Sequence, residues 1–356
     1  MNYDIIHFEA LGEEAIHLKN ETIKAKEAGL LPKDFNFFIT SENLQNFLSK
    51  NKDFILPEII TTKTHSIIPE NYLLGKKKSI ITRSAGYDHF EELQNIINLA
   101  SLREYCVEAV AQTAIKFLYA TCGKLNEYTR KTALFERNNI SSFIELGKNR
   151  VATVFGLGKI GIHIYNLLEA NELTVQAVDL RENELKKEYS ENINFVSKEA
   201  ALKNSDIIIN VMNLNKFPDS KFYNIEYFSD KEFSMAKKGV IFINMSRGDI
   251  APESILLKYY KKKIISGIAL DVFSNELLFS KFLRNEISTD DENLKAAKEI
   301  QEKALSLEEN FYVQPHQGFN SDLAALSKAR ETVKHICNWY KNDKKRFDEQ
   351  LPYYEL

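Results

Sequence analysis

The sequence predicts an α/β protein of two domains, each built on a doubly wound parallel sheet. Short apolar runs rich in β-branched residues alternate with stretches of helical composition along most of the chain, which is typical of strands joined by crossover helices. The chain has 356 residues, of which 44% are hydrophobic and 27% charged, as in soluble globular proteins. Since single cores rarely grow beyond about 250–300 residues, two domains are expected.

The first hundred residues show this alternation without a glycine-rich phosphate motif. Strands are expected at residues 2–8, 35–40 and 79–82, and helices at 10–29 and 41–48; residues 59–60 and 67–68 are further short apolar pieces. The last of these strands leads into Arg83-Ser84-Ala85-Gly86-Tyr87-Asp88. A long helix rich in small and apolar residues is then predicted over residues 104–128, followed by a polar surface segment.

The second half repeats the alternation with longer apolar runs. Strands are predicted at residues 151–155, 174–178, 206–212, 240–244, 264–270 and 310–314. Residues 277–310 differ, because they are rich in Glu, Lys and Asn and carry no strand signal. We interpret them as a solvated helical insertion, with a functional lid as the alternative. An amphipathic helix is predicted over residues 321–340.

The run Val151–Phe155 leads into Gly156-Leu157-Gly158-Lys159-Ile160-Gly161, and a helix is predicted from Ile160. Glycines with this spacing allow a tight turn, a close approach of the backbone to a pyrophosphate, and close packing of the helix on the strand. The N–H groups at the start of the helix then face two phosphates. The motif alone is weak evidence, because glycine turns are common. It predicts a dinucleotide site at Gly156, Gly158, Lys159, Ile160 and Gly161.

A second strand ends at Asp179, about 20 residues beyond Gly158, where a dinucleotide site places a carboxylate that accepts from ribose hydroxyls. A carboxylate here repels the extra phosphate of NADP, so Asp179 favours NAD as the cofactor. Arg181, two residues later, leaves the preference between NAD and NADP open.

Polar residues follow three later strands: Arg247, Asp271 with Glu276, and His316. Because strand ends in a parallel sheet converge on one crevice, these side chains are expected to meet. Hydride transfer between a nicotinamide and a carbon that bears oxygen also moves a proton, and a histidine beside a carboxylate suits that step. An arginine binds a carboxylate through two parallel N–H bonds. Each residue also has an ordinary explanation: a structural ion pair, a solvent-facing loop residue or a surface histidine.

Together these motifs resemble the D-isomer-specific 2-hydroxyacid dehydrogenase family, in the manner of a D-lactate dehydrogenase, over nearly the whole chain. The matching segments are Arg83–Asp88, Tyr105–Ala111, Gly156–Gly161, Asn244–Gly248, Ala269–Phe273 with Glu276, and Pro315–His316. The resemblance implies two Rossmann-like or flavodoxin-like domains. We assign residues 1–104 and 306–356 to a substrate domain and residues 105–305 to an inserted NAD-binding Rossmann domain, with a cleft between them.

The resemblance implies a role for each polar residue of the second half. Arg247 is expected to bind the substrate carboxylate and carbonyl, His316 to be the acid/base, and Glu276 to be its carboxylate partner. Asp271 is expected near the nicotinamide carboxamide and Asn213 near the nicotinamide ribose. The implied reaction is the reversible reduction of a 2-keto acid to a (2R)-hydroxy acid with NAD(H).

The resemblance also implies a substrate pocket. The turn at Ser84, Ala85 and Gly86 is expected to give backbone N–H groups to the substrate carboxylate. Tyr105 and Phe319 either line the same pocket or pack at the domain junction. A homodimer is implied as well, through the long helix that begins near Tyr105.

Several positions depart from the family's usual pattern. Val211 and Asn213 replace the residues usual beside the nicotinamide ribose. Leu277 stands where a proline commonly follows the glutamate, and Gln112 stands where a glutamate is usual on the long helix. These changes remove no catalytic group. They indicate a divergent member, whose substrate is not safely copied from any one relative.

Two other functions stay open on the sequence alone. Formate, phosphite and 3-phosphoglycerate oxidation occur on the same scaffold. Glu276 counts against a formate enzyme, and the few residues after the last predicted helix leave no room for the regulatory domain of many phosphoglycerate enzymes. The second alternative is an NAD(H)-sensing binding protein that dimerises and recruits partners, as transcriptional corepressors of this superfamily do.

Composition and spacing argue against several other classes of protein. A net charge of −3 gives no sign of a nucleic-acid partner. The three cysteines, Cys106, Cys122 and Cys337, are widely spaced and fit a reducing compartment better than a disulfide framework. No cysteine and histidine spacing suits zinc. The sequence shows neither a signal peptide nor an apolar run of the roughly 20 residues that a membrane helix needs. We expect a cytoplasmic protein without a metal, nucleic-acid or membrane partner.

Overall fold

The computed structural model describes residues 3–354, which form two compact units. The first unit comprises Met1–Cys106 and Asn320–Leu356, and the second comprises Val107–Phe319. Residues 1–2 and 355–356, at the ends of the predicted substrate domain, lie outside the described residues. The chain returns to the first unit later than the predicted boundary after residue 305, because the strand Phe311–Val313 pairs within the sheet of the second unit.

Each unit contains one sheet in which all the paired strands are parallel. The strands of residues 3–354 are β1 Ile5–His7, β2 Phe37–Ile39, β3 Ile59–Thr62, β4 Ser79–Thr82, β5 Asn98–Ser101, β6 Val151–Phe155, β7 Thr174–Val178, β8 Ile207–Asn210, β9 Val240–Asn244, β10 Ile265–Leu270 and β11 Phe311–Val313. Most coincide with a predicted apolar run. Strand β5 is not predicted from its sequence, because it begins and ends with polar residues, although both are buried.

The strand orders confirm the predicted fold class. The first sheet has the order β2-β1-β3-β4-β5, which is that of flavodoxin-like doubly wound folds. The second has the order β11-β10-β9-β8-β6-β7, and a single parallel bridge between Ala177 and Phe195 extends it beyond β7. The strand order reverses between β6 and β8. Ligands of such sheets bind outside the carboxyl ends of the strands at this switch point.

Helices connect the strands in both units. Those of residues 3–354 are α1 Gly12–Glu27, α2 Leu44–Lys50, α3 Glu70–Leu73, α4 Val107–Cys122, α5 Leu125–Thr132, α6 Lys159–Ala170, α7 Glu182–Glu188, α8 Lys198–Asn204, α9 Asp230–Met235, α10 Glu253–Lys261, α11 Glu276–Leu283, α12 Glu292–Leu305 and α13 Ala324–Lys341. The single helix predicted over residues 104–128 is two helices, because Lys124 has a left-handed φ of 48°. No helix of the described part of the chain is both long and apolar enough to cross a membrane.

Apolar clusters cover both faces of the first sheet. Ile59 of β3 belongs to the cluster that contains Trp339 of α13, whereas Ile60 belongs to the cluster that contains Phe47 of α2. Neighbouring residues of a strand point to opposite faces, so the two clusters lie on opposite sides of the sheet. This explains why the strand runs are apolar throughout instead of alternating with polar residues.

The insertion at residues 277–310 is part of the second unit's core. Helix α12 begins after Asp291, whose side chain accepts from the backbone N–H groups of Asn293 and Leu294. It packs against α10 and buries one apolar face, which includes Leu294, Ala297 and Ile300. The interpretation of this segment as solvated is therefore wrong for that face of α12. The charged residues that suggested solvation occupy the rest of the helix surface.

Candidate active site

The glycine loop is shaped so that two of its positions admit only glycine. Gly156 has a φ of 90°, and a Cβ there would lie 2.8 Å from the backbone N and Cα of Met212. A Cβ on Gly161 would lie 2.0 Å from the carbonyl oxygen of Gly156. At Gly158, by contrast, a Cβ would meet no described atom within 4 Å. The backbone at Gly158 therefore faces open space, as the fingerprint requires for a pyrophosphate.

Helix α6 begins directly after this turn. Its N-cap is Gly158, which brings no capping side chain to the first N–H groups of the helix. The positive end of the helix dipole thus adjoins the open space beside Gly158. On this evidence the loop and the first turn of α6, including Lys159 and Ile160, fit the phosphates of a dinucleotide.

Asp179 is held against the glycine loop by backbone hydrogen bonds. Its Oδ2 accepts from the backbone N of Leu157 at 2.8 Å, and its Oδ1 accepts from the backbone N of Arg181 at 2.9 Å. The Nε of Arg181 lies 3.5 Å from the same Oδ1. A carboxylate has about four acceptor positions, so Asp179 retains capacity for ribose hydroxyls. Asn213 follows β8 at the other side of the switch point, where its carbonyl accepts from the Nδ2 of Asn224 at 2.8 Å.

His316 lies in the loop after β11 and contacts Glu276. The distance between His316 Nδ1 and Glu276 Oε2 is 3.0 Å, and the two side chains are 36% and 43% exposed. Glu276 is the first residue of α11, and its other oxygen, Oε1, accepts from the backbone N of Phe273 at 3.4 Å. A carboxylate on Nδ1 favours the tautomer with its hydrogen there, which leaves Nε2 as the nitrogen that can exchange a proton with a substrate.

Asp271 holds the loop that carries His316. Its buried carboxylate accepts from Gln314 Nε2 at 2.6 Å and from the backbone N–H groups of Gln317 and Gly318 at 2.8 and 2.9 Å. The carbonyl of Asp271 accepts from the backbone N of His316 at 2.7 Å. This supporting role was missed by sequence reasoning, which considered Asp271 only beside the nicotinamide carboxamide. The signal for it was a single aspartate directly after the buried strand Ile265–Leu270.

Arg247 lies in the loop after β9, beside the loop that leads to Glu276. The side chain of Asn244 donates to the carbonyl of Arg247 at 2.9 Å, and Arg247 Nη1 donates to the carbonyl of Ser246 at 2.9 Å. A Cβ on the next residue, Gly248, would lie 2.0 Å from the backbone N of Ser274. The two loops are therefore in direct contact, and a side chain at position 248 would push them apart.

Glu253 contacts the loop that precedes Glu276, and the sequence did not predict a role for it. It is buried, its Oε1 accepts from the backbone N of Ser274 at 2.8 Å, and its Oε2 accepts from Asn293 Nδ2 at 2.6 Å. Burial raises the pKa of Glu253 above its ordinary value, although these hydrogen bonds partly oppose the shift. Glu253 thus ties α10, the inserted helix α12 and the loop before Glu276 together.

The predicted substrate-binding residues of the first unit follow β4 and β5. In the turn after β4, Ser84 Oγ donates to the carbonyl of Gly86 at 2.7 Å, which closes the turn around Ala85. The backbone N of Tyr105 donates to Glu331 on α13 at 2.7 Å, and burial raises the pKa of the Tyr105 hydroxyl well above its usual value. Phe319 is the last residue of the second unit and is half-buried.

Comparisons with known proteins identify the family of this chain. Residues 115–318 match the sequence profile of the D-isomer specific 2-hydroxyacid dehydrogenase, NAD binding domain. A D-lactate dehydrogenase from Curvularia clavata is 26% identical over 284 residues, which cover 78% of this chain and 75% of that protein. The D-lactate dehydrogenase of Escherichia coli strain K12 is 25% identical over 272 residues, or 75% and 77% of the two chains.

Solved structures show the same fold at lower identity. The crystal structure of D-lactate dehydrogenase from Aquifex aeolicus complexed with NAD and lactic acid matches with a TM-score of 0.74 and 23% identity, over 99% of this chain and 100% of that one. A D-2-hydroxyisocaproate dehydrogenase matches with a TM-score of 0.73 and 19% identity, over 96% and 98%. Because the matched profile spans more than half of the chain and contains the glycine loop, Asp179, Arg247, Glu276 and His316, this protein belongs to the D-isomer-specific 2-hydroxyacid dehydrogenase family and is an NAD-dependent oxidoreductase.

Proposed function

We propose that this chain catalyses the reversible reduction of a 2-keto acid to a (2R)-2-hydroxy acid with NAD(H). The observation that carries the proposal is the 3.0 Å contact between His316 Nδ1 and Glu276 Oε2. His316 lies in the loop after β11 and Glu276 begins the helix that follows β10, so both lie beyond strands of the sheet that also bears the glycine loop. An acid/base pair and a dinucleotide cradle on one sheet are what hydride transfer to a carbonyl carbon requires.

The roles of the residues follow from their chemistry. When bound, NAD(H) supplies or accepts the hydride. His316 donates a proton from Nε2 to the carbonyl oxygen in the reduction and takes it back in the oxidation. Glu276 stabilises the imidazolium and fixes the orientation of the ring. Arg247 binds the substrate carboxylate through two N–H bonds and polarises the adjacent carbonyl.

Further residues complete the proposed site. The turn at Ser84, Ala85 and Gly86 gives backbone N–H groups to the substrate carboxylate, and Tyr105 and Phe319 line the pocket. Asn213 and Asp271 adjoin the nicotinamide half of the cofactor. The family resemblance supports these assignments.

We further propose that the protein is a cytoplasmic homodimer. Exposed apolar side chains occur on α4, α5 and the segment that follows, namely Tyr119, Leu125, Leu134, Phe135 and Phe143. A subunit interface through α4 would bury side chains of this kind. The cysteines of the described chain are free thiols, which suits a reducing compartment.

Substitution of the acid/base and of the carboxylate-binding residue tests the mechanism. His316→Ala and Arg247→Ala are each expected to lower kcat/KM for the best 2-keto acid by at least about 100-fold, since each removes a group that acts in the transition state. NADH binding, measured by its fluorescence, is expected to persist. His163→Ala, an exposed histidine of the same unit, is the matched control.

The substrate panel comprises glyoxylate, pyruvate, hydroxypyruvate and branched 2-keto acids, each with NADH and NADPH. A near wild-type kcat/KM in either variant would contradict the assigned mechanism. Binding of NADH without turnover of any member of the panel would instead favour the NAD(H)-sensing alternative. Oxidation of phosphite or 3-phosphoglycerate in preference to the panel would favour the other dehydrogenase class.

A further inference from the structure

His316 has a backbone conformation that residues with a side chain rarely adopt. Its φ is 53°, in the left-handed region, where the Cβ of an L residue is crowded by the backbone. A residue keeps such a conformation only where its surroundings hold it there, and strained residues of this kind cluster at functional sites. We call residues 314–318 the His316 loop. The groups that hold this loop determine where the imidazole lies relative to Glu276.

The His316 loop is folded around the carboxylate of Asp271. The backbone N of His316 donates to the carbonyls of Asp271 and Gln314 at 2.7 and 3.0 Å. Asp271 Oδ1 accepts from the backbone N–H groups of Gln317 and Gly318 at 2.8 and 2.9 Å. A Cβ on Gly318 would lie 2.5 Å from Asp271 Oδ2, so a glycine is needed for the carboxylate to come this close. A displacement of this carboxylate would therefore displace His316.

The side chain of Gln314 joins the same carboxylate to helix α4. Its Nε2 donates to Asp271 Oδ1 at 2.6 Å, and its Oε1 accepts from Lys116 Nζ at 2.9 Å. These two partners fix the orientation of the amide, because a carboxylate only accepts and an ammonium only donates. A carboxylate at position 314 would face a second carboxylate, and an apolar side chain would make neither bond. The amide of Gln314 is therefore matched to both partners.

Helix α4 contacts the His316 loop at its other end as well. Thr113 Oγ1 donates to the carbonyl of Gly318 at 3.2 Å, and both residues are buried. Thr113 and Lys116 are three positions apart and so lie on one face of the helix. One face of α4 is thus bonded to the loop both before and after His316, and all these residues belong to the second unit.

We propose that Gln314 is a positioning residue for the acid/base step, which through Asp271 and α4 keeps His316 in the left-handed conformation that brings Nδ1 to Glu276. This inference rests on the proposed function and adds to it a residue that acts through others. Without Gln314, Asp271 Oδ1 loses one of its three donors. The strained φ of His316 is then free to relax, and the imidazole moves away from the position that proton transfer requires.

Substitution of Gln314 by an apolar side chain of similar length tests the proposal. Gln314→Met removes both side-chain hydrogen bonds, so kcat for the best 2-keto acid should fall by about 10-fold to 100-fold, as misplacement of a catalytic group does. KM for that acid and the Kd for NADH should change by less than about threefold, because the residue acts on His316 and not on either ligand. Initial rates and the fluorescence of bound NADH measure these constants.

Further variants separate the contacts of the Gln314 amide. Gln314→Glu keeps an acceptor for Lys116 but sets a second negative charge against Asp271, so at pH 8 it should lower kcat at least as much as Gln314→Met. Lys116→Met and Thr113→Val each remove one contact of α4 and should lower kcat in the same direction by less. Wild-type kcat in Gln314→Glu would show that the bond to Asp271 does not position His316, and the proposal would be wrong.

The solvent isotope effect distinguishes a loss of position from a loss of stability. A displaced imidazole slows the transfer of the proton, so the ratio of kcat in ordinary water to kcat in heavy water should rise in Gln314→Met relative to the wild type. A residue that only stabilises the fold would lower the thermal unfolding midpoint and leave this ratio unchanged. That second result would overturn the proposal, and so would a raised KM with an unchanged kcat.

Two more variants control the experiment and keep the two proposals apart. Gln301→Met removes a half-buried glutamine on α12 of the same unit and should leave kcat and the isotope effect as in the wild type. If His316→Ala loses turnover while Gln314→Met keeps the wild-type kcat, this inference is wrong and the proposed function stands. If His316→Ala itself keeps the wild-type turnover, both are wrong.

Discussion

The carboxyl ends of the two sheets bear charged residues in opposite environments. In the first unit Arg83 is completely buried and pairs with a carboxylate that is 8% exposed. In the second unit His316 and Glu276 pair at a similar distance, yet more than a third of each side chain is exposed. Both pairs follow parallel strands of doubly wound sheets, so topology alone does not distinguish them.

The two pairs differ in burial, and burial determines whether a pair can contact a substrate or mainly stabilises the fold. A completely buried pair offers no surface that a substrate can reach, and removal of one partner leaves an uncompensated charge in the interior. A half-exposed pair adds little to stability, because water screens it, but its ring nitrogen stays accessible. The comparison therefore indicates a structural role for Arg83 and supports the proposed acid/base role of His316, although both lie in motifs that resemble one family.

The largest effect is expected when the buried pair of Arg83 and Glu14 is removed. Arg83→Met should lower the free energy of unfolding by about 3–5 kcal/mol, because Glu14, Thr61 and the carbonyl of Phe8 lose a donor in the interior. His316→Ala should change it by less than about 1 kcal/mol. Urea denaturation of both variants measures the difference. An equal loss of stability in the two variants would show that exposure does not separate them.

Local sequence patterns predicted most of what positions the candidate site. The run Val151–Phe155, the glycine loop and the polar residues after β9, β10 and β11 are recognisable because strands of a parallel sheet are short, apolar and followed directly by functional loops. The start of α2 shows the limit of such patterns, because the helix predicted from residue 41 begins at Leu44. The residue that caps α2 is Asn43, whose side chain accepts from the backbone N of Asn46.

The roles of the supporting residues could not be predicted from local patterns, because they depend on partners that are distant in the sequence. Glu253 and Asn293 are about 40 positions apart, and nothing near either one predicts that a glutamate is buried there. The apolar face of α12 was overlooked for a similar reason, since its many charged residues dominate the composition of the segment. Burial of a polar residue is a property of the packed structure, and sequence spacing does not report it.

A smaller effect is expected from substitutions in the glycine loop, where Gly161 is closely packed and Gly158 adjoins open space. Gly161→Ala should destabilise the protein by about 1–3 kcal/mol, because its Cβ would overlap the carbonyl oxygen of Gly156. Gly158→Ala should leave the unfolding free energy within about 0.5 kcal/mol, since its φ of −72° suits any residue and the space beside it is open. NADH affinity should nevertheless fall in Gly158→Ala, because the new methyl group would occupy the approach to the pyrophosphate. Unchanged NADH binding in that variant would show that the open space is not the phosphate site.

The smallest expected effect concerns Glu253. This residue is buried like Arg83, but it contacts the loop that precedes Glu276. Its pKa is raised by burial, so above about pH 4.5 the unfolded chain ionises this group more readily than the folded chain does. The wild-type protein therefore loses stability as the pH rises through the interval between the two pKa values, whereas E253Q, which does not titrate, is spared that loss.

The unfolding free energy of E253Q, relative to that of the wild type, should accordingly increase between pH 4 and pH 7. The increase is about 1.4 kcal/mol for each unit by which folding raises the pKa of Glu253. Glu292→Gln, an exposed glutamate at the start of α12, is the control and should show no such trend. If Glu253 positions the loop that carries Glu276, E253Q should also lower kcat more than it raises KM, because the Ser274 contact acts on the acid/base pair and not on substrate binding. If the difference in unfolding free energy does not depend on pH and kcat is unchanged, Glu253 is an ordinary buried hydrogen-bonding residue. The position of the His316–Glu276 pair would then not depend on this buried carboxylate.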